Sequence, residues 1–240
     1  MQSAAPARPS HPAAVLLLVL MATMPLTAGG CSTGGGKTGR AAATRTVDSL
    51  ERVQETLVDG RDELYAVSAH LAEAVAVDAG TDADTEAVVL PADLEPAGWF
   101  KGFTRQRADT RKLAQRLTRD LQRLRSERDA YVAGWETDLS RVTDPELRQM
   151  SRERRRRIDG RFSDLTDGLS ETEQQMTPLL EQLDNLHLYL SNDLTAAGFV
   201  AVQGRIEKAA QTAAVLGDRY DDLSDDVVAL TSDVAPRLTQ

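Results

Sequence analysis

The residues best equipped for chemistry in this 240-residue chain are an arginine run, two histidines and paired aspartates. Arg154, Arg155, Arg156 and Arg157 form the sharpest charged feature. With Arg119 and Arg123 upstream, they are the candidate anion-binding set. Guanidinium groups suit phosphate and carboxylate because their planar forks donate two parallel hydrogen bonds. Four consecutive helical residues spread over about 300°, so this run cannot be one flat patch. The spacing places Arg154 on an apolar seam, where it must snorkel or pair with an acid. Internal pairing and solubility compete with ligand binding for all six arginines.

Enzyme chemistry lacks parts. His70 and His187 stand far apart, and the nearest potential co-ligand to His187 is Asp184, three residues before it. A packed histidine on a helix seam is the simpler reading. Asp221-Asp222 and Asp225-Asp226 recur at four residues, but lack the glycine turn and spacing of a calcium loop. They read as a solvated acidic face. The Gly36-Lys37-Thr38 triplet invites a phosphate-loop reading, which needs glycine where Cys31 stands and a strand before it. The sequence therefore implies no catalytic residue, metal or cofactor, and hydrolase activity is a distant third reading.

Composition narrows the partners. The net charge is -9 and the pI near 4.9, which argues against a general nucleic-acid binder. At 4% aromatic residues, no base-stacking platform is expected. A single cysteine rules out an internal disulfide framework.

That cysteine has an informative prelude. Arg8 and His11 are followed by the apolar run Ala13–Met24, then Pro25 and small residues up to Cys31. The run is shorter than the roughly 20 residues that span a bilayer, and fits a secretory signal core. Leu26-Thr27-Ala28-Gly29-Gly30-Cys31 resembles a bacterial lipobox, departing from it at Ala28, where leucine is preferred. The resemblance implies cleavage before Cys31 and lipidation of it; the alternative is an ordinary secretory signal and an unmodified cysteine. Acyl chains hold a protein at a membrane at about 0.8 kcal/mol per buried methylene. Ser32 resembles the sorting residue of outer-membrane lipoproteins. The expected location is the cell envelope, anchored to a membrane (the outer one favoured) and facing the periplasm.

The elements that position these residues are helices. Residues 1–30 read as the signal peptide, 31–43 as a flexible glycine-rich tether, and 44–240 as a helical domain. A first helix over 44–77 carries Leu50, Leu57, Leu64 and Leu71, with Val47, Gln54, Arg61, Ser68 and Val75 as a weaker companion column. Residues 78–98 read as an acidic loop with several breakers. A second helix over 99–142 has the stripe Leu113, Leu117, Leu121, Leu124, Arg128, Tyr131, Trp135 and Leu139, and a basic opposite face. A short turn leads to a third helix over 145–190, capped by Asp144 and Pro145 and kinked near 177–178 by Pro178. A fourth helix over 195–235 has the cleanest pattern, from Phe199 to Val234, with Gly204 and Gly217 offering close helix approach.

The expected fold is all-α: an elongated antiparallel bundle, with coiled-coil-like hairpins, of about four long helices. A symmetric turn at Val142–Thr143 places Trp135 near Met150, Tyr131 near Arg154, Leu124 near Phe162 or Arg161, and Leu121 near Leu165. Basic residues of the second and third helices are expected to pair with acids of the first and fourth.

Trp135-Glu136, Leu139, Leu147-Arg148, Ser151, Met176-x-Pro178-x-Leu180 and the Leu188-Tyr189-Leu190 run into Ala196 resemble a bacterial lipoprotein family, domain of unknown function 2959. The resemblance is strongest over Tyr131–Gly204, loosens over the first helix and departs most at 78–100. It implies an envelope-associated helical lipoprotein and offers no catalytic residues. Two functions follow: a non-catalytic, membrane-tethered scaffold or spacer presenting charged faces to periplasmic partners, or a binding module for anionic envelope lipid or glycan through the arginine band. Partners are the membrane through lipid on Cys31, and an envelope protein or a second copy through the helices, with no nucleic acid.

Overall fold

The computed structural model describes residues 36–75 and 94–235, with side chains from residue 39 onward. The proposed signal peptide, Cys31 and most of the acidic loop lie outside the described residues. Four helices make up the described chain: α1 (Gly36–Glu73), α2 (Pro96–Leu139), α3 (Pro145–Asn192) and α4 (Ala196–Val234). No strand occurs among the described residues.

Helix boundaries follow the capping chemistry. The Glu95 carboxylate accepts from the amides of Ala97 and Gly98, and Pro96 occupies the first turn of α2. Pro96 therefore opens the helix, where its missing amide costs nothing, and does not belong to the preceding loop. Asp144 accepts from Glu146 and Leu147 at the start of α3, and Thr195 from Gly198 at the start of α4. α1 starts at Gly36, so part of the expected tether is helical, and Ala42 and Ala43 are buried.

Each helix packs against two others. α1 and α3 are diagonal, as are α2 and α4, so the helices follow one another around the bundle in chain order. One end gathers the start of α1, the end of α2, the start of α3 and the end of α4. The opposite end carries His70, Trp99 and Phe199.

The core is aliphatic along its length. Leu50, Leu57, Leu64 and Leu71 of α1 are fully buried, as are Leu113, Leu117 and Leu124 of α2. All eleven α4 seam residues expected from the sequence, Phe199 through Val234, are buried. Each full burial of such a side chain contributes about 1.5–3 kcal/mol. In the companion column of α1 Val47 is buried as expected, but further along it is Val53, Gly60, Val67 and Ala74, three residues after each leucine, that are buried. Gln54, Arg61 and Ser68 are only half-buried. With α2 on one side and α4 on the other, α1 is an integral member of the core and not an edge helix.

Four buried threonine hydroxyls, of Thr46, Thr110, Thr166 and Thr172, bond to the preceding turn, whereas those of Ser49 and Tyr220 have no hydrogen-bond partner among the described residues. Thr46 Oγ1 donates toward Ala42 O (3.0 Å) and also lies 3.2 Å from Glu127 O of α2. Thr172 Oγ1 donates to Gly168 O at 2.8 Å. Such bonds to the preceding turn let polar residues enter an apolar seam without an orphaned group.

α3 runs through Pro178 as one continuous helix from Pro145 to Asn192. Pro178 and Gln174 are both exposed, so water can solvate the carbonyl left without its amide partner. The α2–α3 register is shifted: Trp135 Nε1 donates to Ser151 Oγ (2.9 Å), Arg128 pairs with Asp159 (2.7 Å) and Tyr131 meets Phe162 with ring centroids 6.3 Å apart. The turn is asymmetric. Arg148 donates from Nε and Nη2 to Val142 O, and Leu147 and Met150 in the first two turns of α3 are exposed. Gly217 does admit a close neighbour, the Tyr65 ring, whereas Gly204 faces open space.

Candidate functional site

The six sequence-predicted arginines do not form one band. Arg125 Nη2 donates to Ser170 Oγ, which sets the level of α2 against α3. Arg119 and Arg123 therefore lie beside the middle of α3, about 15 Å or more along the bundle from Arg157. Both are exposed. Arg154–Arg157 lie instead at the end where α2 turns into α3.

Within that run the roles differ from those inferred by periodicity. Arg155 turns inward, its side chain 24% exposed, and pairs with Glu136 of α2. Its Nε is buried without a hydrogen-bond partner. Arg154 is exposed and donates to the carbonyl of Asp233 at 3.1 Å, on the last turn of α4. The shifted register explains the exchange: the seam runs Ser151, Arg155, Ile158, Phe162, and the α4 terminus lies beside Arg154.

Two shallow clefts flank this part of α3. Arg148, Arg152 and Arg155 converge with Glu136, Leu139 and Ser140 around about 300 Å³. On the other flank, Arg154, Arg157, Ile158 and Asp233 line a second cleft of about 300 Å³. A third space of about 340 Å³ opens between α1, α2 and α3, walled by Tyr131, Trp135, Asp138 and Gly39. Arg148 and Arg152 are not among the six arginines expected to bind an anion. Their signal was their spacing with Arg155, on one helix face at steps of four and three.

Basic residues elsewhere are mostly consumed inside the bundle. Arg107 and Arg111 of α2 share Asp184 of α3 at 3.1 and 2.6 Å. Arg116 pairs with Asp59 of α1 at 3.2 Å, and Arg45 of α1 with Glu127 of α2 at 3.2 Å. The expected pairing of α2 arginines with the aspartates of α4 does not occur, because the two helices are diagonal. Asp221 is taken by Arg61 of α1 at 2.8 Å, and Asp218 by the Tyr65 hydroxyl at 2.6 Å. That bond, with the nearby carboxylates, pushes the Tyr65 phenol up to about 12.

Both described histidines belong to an aromatic cluster at the opposite end. His70 stacks on Trp99 (centroids 5.0 Å, planes 8° apart), and Trp99 Nε1 donates to His70 O at 2.9 Å. His187 stacks on Phe100 at 5.1 Å, and burial with the charge of Arg107 lowers its pKa. Among the described residues no group of three or more His, Cys, Asp and Glu side chains could hold a metal ion. No described helix is long and apolar enough to cross a membrane.

Fold and surface together define an all-helical four-helix bundle with one arginine-rich end. A model of the family described as "Protein of unknown function (DUF2959)" matches residues 37–221, so the chain belongs to that family. The match takes in α1 as well as the α2–α4 region where the resemblance is strongest. No curated protein and no solved structure matches the chain.

Proposed function

We propose that this protein is a non-catalytic envelope lipoprotein, tethered through Cys31, whose bundle is a helical scaffold or spacer on the periplasmic side of the outer membrane. The observation that carries this reading is the placement of the bundle relative to the tether in sequence. α1 begins at Gly36, five residues after Cys31, and leads directly into a core that runs the length of four helices of 38 to 48 residues. A 38-residue helix is about 57 Å long. A rod of that length, attached at one terminus, holds its far end well away from a bilayer. Its long exposed faces are charged and available to envelope proteins.

The test is metabolic labelling of the full chain, expressed in a bacterium, with a clickable fatty acid. Label on the wild type, its loss in Cys31→Ala, and recovery of labelled protein in the outer-membrane fraction are expected. Equal labelling of both proteins, or a mature N-terminus other than Cys31, overturns the tether.

A further inference from the structure

The α2–α3 end combines features that the scaffold reading does not use. Leu147 and Met150 are 57% and 59% exposed on the first turns of α3. Arg154 and Arg157 continue the same helical stripe, one to two turns further along. Arg148, Arg152 and Arg155 occupy the adjacent face and line the cleft against Glu136. Arg152, Arg156 and Arg157 make no ion pair or side-chain hydrogen bond among the described residues, unlike the arginines of mid-α2 that share Asp184.

The local charge opposes the global one. Between Glu136 and Arg157 seven arginines face five acids, in a chain whose net charge is -9. Three of those acids are engaged: Glu136 by Arg155, Asp144 by the α3 amides, and Glu153 by Gln149. What remains outward is positive, around an apolar tip.

We propose that this end is a contact surface for an anionic phospholipid bilayer, with Leu147 and Met150 entering the interface and the arginines binding headgroup phosphates in the two flanking clefts. Several observations point to a bilayer and not to a soluble polyanion. The apolar pair lies in the first two turns of α3, with Arg148 and Arg152 beside it and Arg154, Arg156 and Arg157 roughly 6–15 Å further along the helix. That is the order of layers at a membrane surface, where apolar faces sink about 5–10 Å into the headgroup boundary. Chain length agrees. α1 starts at this end, because a Cβ on Gly39 would collide with Asp138 of α2. Cys31 precedes Gly36 by five residues, a length that spans at most about 18 Å when extended. The inference deepens the tether reading and rests on it for its place in the cell, though not for its chemistry.

The test is vesicle flotation of residues 31–240 carrying Cys31→Ser. Every described core residue lies between Ala42 and Val234, so this chain keeps the described core, and far-UV circular dichroism checks each variant. Flotation with phosphatidylglycerol vesicles but not with phosphatidylcholine vesicles is expected. Arg152→Gln with Arg156→Gln and Arg157→Gln should weaken binding about a hundredfold, since each arginine near an anionic surface contributes roughly fivefold. The same three positions changed to Lys should retain it. Leu147→Ser with Met150→Ser should cost about tenfold. Absence of flotation, or flotation indifferent to either variant set, overturns the proposal. So does retention on a soluble polyanion column that matches vesicle binding and ignores Leu147 and Met150. Loss of fatty-acid labelling in the full chain is a separate result and bears on the tether alone.

Discussion

The ring of Tyr220 occupies the space beside Gly60: a Cβ at position 60 would lie 2.3 Å from Tyr220 Cε1 and 2.8 Å from Leu113 Cδ1. Here α1 yields its side chain so that α4 can bury its tyrosine, which is 0% exposed. Gly60→Ala gains about 1 kcal/mol of helix propensity but must displace a ring held on all sides. A net loss of about 1–3 kcal/mol is expected in urea unfolding. Gly204→Ala, in open space on α4, is the matched control and should stabilise by about 0.5–1 kcal/mol. Equal responses at the two glycines would show that the α1–α4 spacing is looser than described.

Pro178 sits inside a helix that continues past it on both sides. An interior proline costs about 3 kcal/mol through its missing amide and its clash with the preceding turn. The site is exposed, so no packing is lost when the ring is removed. Pro178→Ala should raise stability by about 1–3 kcal/mol, read from the denaturation midpoint at unchanged slope. A destabilised variant would mean that α3 depends on a bend at this point.

The histidine at the far end makes stability fall in mild acid. His187 faces Arg107 of α2, Asp184 of its own helix and the rings of Phe100 and Phe103. Burial first, and Arg107 second, lower its folded pKa below 6.5, while Asp184 opposes them. The unfolded chain thus binds this proton more readily. Its effect on stability is absent above 6.5 and grows as pH falls through the lower folded value. His187→Phe, which keeps a ring against Phe100, should flatten that part of the stability profile. An unchanged slope would assign it to the carboxylates.

Tyr65 gives the opposite sign at high pH. Its hydroxyl donates to Asp218 at 2.6 Å, and its folded pKa is raised from 10.0 to about 12. The stabilising bond is present below 10.0 and is lost as pH rises through about 12. Ultraviolet titration of the tyrosines should show two late phenols, because burial also raises that of Tyr220, and Asp218→Asn should move only the Tyr65 phenol back toward the ordinary value. A titration that Asp218→Asn leaves unchanged would exclude the α1–α4 bond.

Much of this protein is written in the sequence alone. The three-and-four spacing of apolar residues determined that four long helices form, and the seam of α4 follows from it residue by residue. Caps did the same for the starts of α3 and α4, because Asp144 and Thr195 satisfy amides within their own first turns. These are local effects, and local chemistry is legible in order along the chain. The tertiary structure decided what depends on neighbours. Val53 and Val67 became the companion column of α1 because α2 and α4 flank it on two sides. Arg155, not Arg154, turned inward because the asymmetric α2–α3 turn slid one helix along the other. Leu147 and Met150 stay exposed on the first two turns of α3, which no periodicity reveals, since an apolar residue is a core residue only where another surface reaches it.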